Sequence, residues 1–322
     1  MGTSSPLEWK MTSNPRFGIF LALFGALAIS PDTLLMRWSE MTGPQMMAWR
    51  GLLMGSAMLL AWLIFRRQQL HKDLRVTVCW AGLVVLLCQA CNASLFAFGI
   101  AVAPVSVVLF SVATVPIFAA LLSWMFLGER AHWTTWVTTA VVLFGIGIAV
   151  FGTDPAQTSG SPLLGAAIGL GVAICLALSF VTIRANADLP ILLLVGAGAT
   201  LAGLAGLAWT GTSAMTEGHV WAIALAGGLV LPVSFFSLSL SSRYTHPSNV
   251  SLLLLLETVL GPIWIWVGTG VAPTPSMLVG GAIVIVSLAL YLWHAGRRQV
   301  RARRADLMTP HRRLDAADEF SA

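Results

Sequence analysis

Val102 to Arg130 reads VAPVSVVLFSVATVPIFAALLSWMFLGER. Past the loop proline Pro104 the chain carries no charge until Glu129. An apolar run of that length crosses a bilayer, since a helix needs about 20 residues to cover roughly 30 Å of hydrocarbon. Pro116 lies mid-span, where a neighbouring helix or a cavity must satisfy the carbonyl its missing N–H leaves free. A similar stretch returns at His246 to Gly270, HPSNVSLLLLLETVLGPIWIWVGTG. Ser106 matches Ser248 and Gly128 matches Gly270 at one offset of 142 residues. One segment written twice, about half a chain apart, predicts a chain of two related halves.

Composition sets the solvent. Of 322 residues 57% are hydrophobic and only 10% charged, with a mean hydropathy of +0.84. A soluble domain is about 25% charged, so this composition is that of an integral membrane protein in contact with lipid. The formal charge of +5 does not point to nucleic acid, because the basic residues sit in short loops and at the C-terminus. Cys88 and Cys91 form a CxxC inside an apolar helix with no second pair to complete a metal site, and Cys79 and Cys175 are isolated. All four are expected to be small core residues, and no metal or cofactor is expected. The head before Phe17 is polar and lacks the pattern of a cleaved leader.

Ten apolar segments follow: Phe17–Trp38, Pro44–Phe65, Val76–Gly99, Val105–Leu127, Trp133–Phe151, Leu163–Arg184, Pro190–Thr210, Val220–Leu240, Ser248–Gly268 and Ser276–Trp293. RRQQLHKDLR reads as the loop between the second and third, and TDPAQTSGS as a turn-rich spacer between halves. The predicted fold class is an all-α integral membrane protein of ten transmembrane helices. A cytoplasmic segment 1–16 precedes a five-helix repeat 17–152, a linker 153–162 leads to a second repeat 163–294, and 295–322 form a basic, then acidic tail. With both termini cytoplasmic, sixteen of the eighteen Lys and Arg fall on that side, all but Arg37 and Arg50. Positively charged loops favour the cytoplasm, so this orientation is the expected one. Five helices per half make the second repeat enter from the opposite side, the inverted topology of secondary transporters. Aligning Gly18 with Gly165 also brings Arg37 onto Arg184.

At AWRGLL in the second helix, Asn92 to Ala103, Val115–Pro116, LGER, FGIGIAVFG and LLLLLETVLGP, the chain resembles the drug/metabolite transporter superfamily, specifically its ten-helix EamA-type members. The resemblance covers about Phe17 to Trp293. It implies a carrier in the bacterial cytoplasmic (inner) membrane, many of whose relatives export amino acids or related metabolites. The family often has proline after the glutamate of the ninth helix. Here Thr258 follows Glu257, which weakens the expectation that this helix kinks.

Charges in hydrocarbon cost at least about 2.5–3.5 kcal/mol at a helix centre and mark function or a pair. Asp32, Arg50 and Glu257 are the candidates. Asp32 or Glu257 would bind a cationic group or a coupling proton, and Arg50 a carboxylate. Equally, Asp32 and Arg50 can form a structural ion pair near the outer interface, and Glu257 can be a neutral carboxyl bonded to a neighbouring helix. Gln89 and Asn92 share a face at a spacing of three, as do Ser111 with Thr114 and Ser179 with Thr182. These polar strips either line a central cavity or bond between helices. Gln89, Asn92, Ser111, Thr114, Ser179 and Glu257 are the candidate substrate contacts, with Asp32, Arg50 and Pro116 as coupling or gating residues. Trp264 and Trp266 are candidate cavity walls or lipid-facing packing. Strings such as GLAGLAW read as close-packing surfaces, and Glu129 with Arg130 as an interface anchor. The favoured function is a secondary carrier exporting small molecules such as amino acids. Uptake or efflux of cationic drugs is the alternative. An enzyme lacks a nucleophile, acid/base or metal constellation, and a channel lacks a filter motif.

Overall fold

The computed structural model describes residues 15–103, 105–129, 131–151, 162–270, 275–276, 278–291 and 293–294. Pro104, Arg130, nearly all of the predicted linker and the basic tail lie outside them. The described residues are helical. The first half holds α1 (Pro15–Ile29), α2 (Asp32–Ser39), α3 (Gly43–Phe65), α4 (Leu70–Thr77), α5 (Trp80–Val102), α6 (Val105–Val112), α7 (Val115–Leu127) and α8 (Trp133–Phe151). The second holds α9 (Pro162–Ala185), α10 (Ile191–Thr210), α11 (Val220–Leu225), α12 (Leu231–Tyr244), α13 (Pro247–Leu254), α14 (Leu256–Thr269) and α15 (Leu278–Tyr291). Seven helical runs are long and apolar enough to cross a membrane, counting α1–α2, α11–α12 and α13–α14 as one each. Parts of α7, α8 and α15 are shorter apolar helices.

The duplicated segment is duplicated in structure. Shifted by 142, the bounds of α6 become 247–254, those of α13. Gly128 ends α7 at φ +67 with its N–H donating to the Trp124 carbonyl (3.1 Å). Gly270 ends α14 at φ +74 with its N–H donating to the Trp266 carbonyl (2.9 Å). Glycine is favoured at both places because a Cβ strains the left-handed conformation. Both copies are also interrupted midway, at 113–114 and at 255, which corrects the expectation for the second. The break does not require Pro116 or its absent counterpart. In each copy a threonine hydroxyl takes the carbonyl three residues back at the break, Thr114 to Ser111 (2.6 Å) and Thr258 to Leu255 (2.7 Å). A tight local bond of this kind competes with the regular helix ladder.

Glycines set the packing. A Cβ at Gly51 would lie 2.5 Å from the Gly203 nitrogen, and one at Gly206 2.6 Å from that of Ala48. Residue numbers rise along α3 as they fall along α10, so the two run antiparallel with backbones nearly touching, as expected of GLAGLAW. Likewise Gly18 meets Tyr244 and Gly25 meets Leu238, placing α1 antiparallel to α12; Gly99 meets Ile168, placing α5 antiparallel to α9. The first helix of each half therefore packs on the third spanning run of the other. Large apolar side chains such as Phe20, Ile64, Leu87 and Val267 face outward, while Asp32, Gln89, Asn92 and the serines of α12 are buried. A lipid-facing surface explains that inversion.

Two local expectations change. The predicted loop after α3 contains α4, because Asp73 turns back to bind Arg66 at 2.7 and 2.8 Å and the Trp62 indole N–H at 2.9 Å. Burial pushes the Asp73 carboxyl up, but the hydrogen bonds from Arg66 and Trp62 outweigh it and hold it below the usual range. Cys79 is not a core residue: it is exposed, and its sulfur accepts from the Gly82 N–H (3.4 Å) to cap α5. Cys91 is exposed as well.

Candidate functional site

Five of the nine candidate residues meet in one cavity. Asp32 from α2, Arg50 from α3, Gln89 and Asn92 from α5, and Glu257 from α14 line it together. The rest of the wall is apolar and soft, with Met47, Met54, Phe96 and Phe235 the bulkiest contributors. The helix breaks matter here, since Leu254, Leu255, Glu257 and Thr258 line the cavity at one and Val112 and Val115 at the other.

Asp32 and Arg50 form a two-pronged ion pair. One guanidinium nitrogen of Arg50 lies 3.0 Å from Asp32 Oδ1 and the other 2.8 Å from Oδ2. Parallel contacts of this kind are the strongest arginine–carboxylate geometry. Asp32 is 1% exposed, and the Arg50 guanidinium also lies 5.9 Å from the centre of the Phe96 ring. The ion pair that the sequence allowed is formed, and it shares one cavity wall with Glu257. Its position follows from the break at Ser30–Pro31, which starts α2 at Asp32 inside the bundle.

The other polar groups are differently placed. Gln89 is 2% exposed and Asn92 5% exposed, yet among the described residues neither amide has a protein hydrogen-bond partner. Glu257 is half-buried on the cavity, and its carboxyl likewise makes no ion pair or hydrogen bond among the described residues. Buried polar groups are nearly always satisfied. All three groups line the one cavity, so a partner can reach them only from it.

Four candidates lie off the wall. Ser111 is buried against α9, where a Cβ at Gly169 would stand 2.6 Å from its own Cβ, and its carbonyl holds the Thr114 hydroxyl. Both belong to the helix break. Pro116 is buried at the start of α7, one residue beyond the lining Val115. Ser179 is buried in α9 away from the cavity. Trp264 donates to the Ser30 hydroxyl (2.8 Å) and, like Trp266, is exposed on the outer surface; Phe96 and Phe235 are the aromatic walls instead. Phe96 was within reach of the sequence, since it continues the Gln89–Asn92 face by one helical turn. The set Met47, Arg50, Gly51 and Met54 follows the same spacing on α3.

The cavity lies towards one end of the bundle. Its α3 residues belong to the half nearer Gly43, the end where Gln45 bonds the Ala214 carbonyl and the His219 N–H bonds the Ser39 carbonyl. Towards the other end the interior is packed solid by Met58, Phe180, Ile183, Leu194, Leu238 and Leu253. That end is tied by charge. Arg184, at the end of α9, lies 3.0 Å from Glu129 and donates to the Arg243 carbonyl at 2.8 Å. Arg243 in turn donates to the Leu189 carbonyl. His246 stands 4.0 Å from the Glu129 carboxylate and 2.6 Å from the Ser248 hydroxyl. Burial lowers the His246 pKa below its ordinary value, despite the pull of Glu129. Glu129, read as an interface anchor, thus joins the ends of α7 and α9 to the start of α13.

Comparison with known proteins agrees with this architecture. The EamA-like transporter family matches residues 16–151. A protein of Streptantibioticus cattleyicolor named a probable terminal-alkyne amino-acid exporter is 30% identical over 222 residues, which cover 63% of this chain and 67% of that protein. One solved crystal structure superposes with a TM-score of 0.68 at 17% identity, covering 84% of this chain and 96% of its own, a likeness of fold alone. On the family match and the extent of the exporter alignment, the chain belongs to the EamA-like transporter family of the drug/metabolite transporter superfamily and is a multi-pass membrane transport protein, not an enzyme.

Proposed function

We propose that the protein is a secondary carrier of a bacterial cytoplasmic membrane that exports amino acids or related small metabolites by alternating access. The observation that carries this reading is the cavity towards one end of the bundle, with Gln89, Asn92 and Glu257 in its wall and unpartnered among the described residues. A site of this kind near the midplane, beside interrupted helices, is what carriers with repeated halves use. The amino-acid substrate is taken from the name of the relative. In this reading the chain crosses ten times as two inverted five-helix repeats, 17–152 and 163–294, with both termini cytoplasmic. The reciprocal antiparallel pairs α1 with α12 and α5 with α9 support it. The basic end, with Arg66, Arg184 and Arg243, is then cytoplasmic. The cavity faces outward, and the contacts of Glu129 part when it turns inward.

Purified protein in liposomes tests this. Saturable counterflow of labelled amino acids is the expected result, and flux that rises without saturation overturns the carrier reading. The unpaired carboxyl of Glu257 favours one alternative, export of organic cations; competition of such cations with amino acids in the same vesicles separates the two.

A further inference from the structure

Three charged side chains line the cavity, and they are not equivalent. Arg50 gives one N–H from each terminal nitrogen to Asp32, so the charge of each partner is already balanced by the other. Arg50 is the side chain that residue type alone would choose to hold a substrate carboxylate. To do so it would have to hold a second carboxylate beside buried Asp32 with no further cation in the cavity wall to balance it. Left over are one carboxyl, on Glu257, and two amides, on Gln89 and Asn92. Glu257 can only accept when ionised, which fits an ammonium. Each amide offers two N–H donors, so together they present four to an acceptor group. Neutral donors suffice for a carboxylate here, because the adjacent ammonium already balances its charge.

Taking the carrier reading above as its basis, we infer that Gln89 and Asn92, not Arg50, hold the substrate's carboxylate, while Glu257 holds its ammonium. The side chain of the substrate then lies against Met47, Met54, Phe96 and Phe235. Unbranched thioethers and phenyl edges make an adaptable apolar wall. The substrate class is therefore a free α-amino acid with an uncharged, apolar side chain. Asp32 and Arg50 stiffen the wall without touching the carboxylate.

The test is a selectivity ratio in proteoliposomes. The probes are labelled L-norvaline, L-leucine and L-methionine, each compared with its methyl ester, which keeps the ammonium and side chain but loses the carboxylate. Wild-type protein is expected to take the free acids over the esters by about a hundredfold in kcat/KM, about tenfold for each of the two amides that loses a charged acceptor. Gln89→Leu and Asn92→Leu should each narrow that ratio by about tenfold, largely by slowing the acid and not the ester. Gln89→Glu should invert the preference by placing a carboxylate against the carboxylate. The double variant Asp32→Asn with Arg50→Met should keep the wild-type ratio. If that double variant loses the ratio while the leucine variants keep it, Arg50 is the carboxylate group and the inference is overturned. If esters are carried as well as acids by the wild type, the inference falls while the carrier reading stands. If no probe gives saturable counterflow, the carrier reading falls and this inference with it. The wild-type ratio needs no variant, so a misfolded mutant does not remove the test.

Discussion

Removing Asp32 tests what the buried pair does. At separations of 2.8 and 3.0 Å the gross attraction is about 6 kcal/mol at an effective dielectric constant near 20. Desolvation of both ions cancels much of it, and breaking one side of a buried pair costs about 3–5 kcal/mol. The Arg50 side chain keeps 12% exposure and faces a cavity, so Asp32→Asn belongs at the lower end, about 3 kcal/mol. The two single variants should differ. Asp32→Asn leaves a guanidinium that cannot shed its charge, whereas Arg50→Met leaves a carboxyl that can become neutral by taking a proton. Arg50→Met should therefore be the milder change, and milder still in acid. In the double variant neither charge remains, and most of the lost stability should return. Thermal unfolding of the purified protein in one detergent, followed by tryptophan fluorescence, gives the four corners of the cycle. Loss of several degrees for Asp32→Asn and recovery in the double variant are expected. The reasoning is refuted if Asp32→Asn melts with the wild type, or if the double variant is as unstable as the two single losses added together.

Three further outcomes follow from particular contacts. Gly51→Ala puts a Cβ 2.5–2.6 Å from the backbone of Gly203 and Ala199, so α3 and α10 must separate; a loss of about 1–3 kcal/mol is expected in the same melting assay. Thr258→Pro puts at 258 the residue type found at Pro116 but deletes both bonds to the Leu255 carbonyl, from the Thr258 N–H (3.2 Å) and hydroxyl (2.7 Å), so a loss of about 1–3 kcal/mol is expected in the melting assay. His246 has a folded-state pKa below its ordinary value of 6.5, so the unfolded chain binds more protons in that window. Its contribution to stability is complete above pH 6.5 and is lost as pH falls towards the lowered value. His246→Asn should flatten the fall in melting temperature between pH 7.5 and 5.5.

How far the sequence reached depended on the range of the interaction. The apolar segments and the repeat were legible because each is a local pattern, and the matched bounds of α6 and α13 answer directly to Ser106 with Ser248 and Gly128 with Gly270. The polar face of α5 was legible for the same reason: Gln89 and Asn92 are spaced for one side of a helix. Ser111, Thr114 and Ser179 share that spacing yet lie off the cavity, because periodicity says which residues share a face but not what the face meets. Their neighbours decided it, Gly169 in the case of Ser111. The network of Glu129, Arg184 and His246 was out of reach, since it joins three helix ends far apart in the chain. Proline also misled, because it was treated as the cause of the break.

The two copies of the repeat separate structure from chemistry. A helix interruption recurs at 113–114 and at 255, and a local bond to threonine recurs too, although the proline is present once only. What differs is the residue just past the break: Val115 in the first copy, Glu257 in the second, and both line the cavity. An interrupted helix exposes backbone and turns side chains inward at mid-depth, so either copy could have carried the charge. Between the two breaks a carboxyl comes from one side only: Glu257 stands on α14, and α5 supplies the amides of Gln89 and Asn92. A symmetric pair of carboxyls would suit a dication or a metal; one carboxyl beside two amides suits a molecule that is itself unsymmetrical. The duplication would then provide the two-sided gate, and the loss of symmetry at a single position would provide the direction in which the substrate lies.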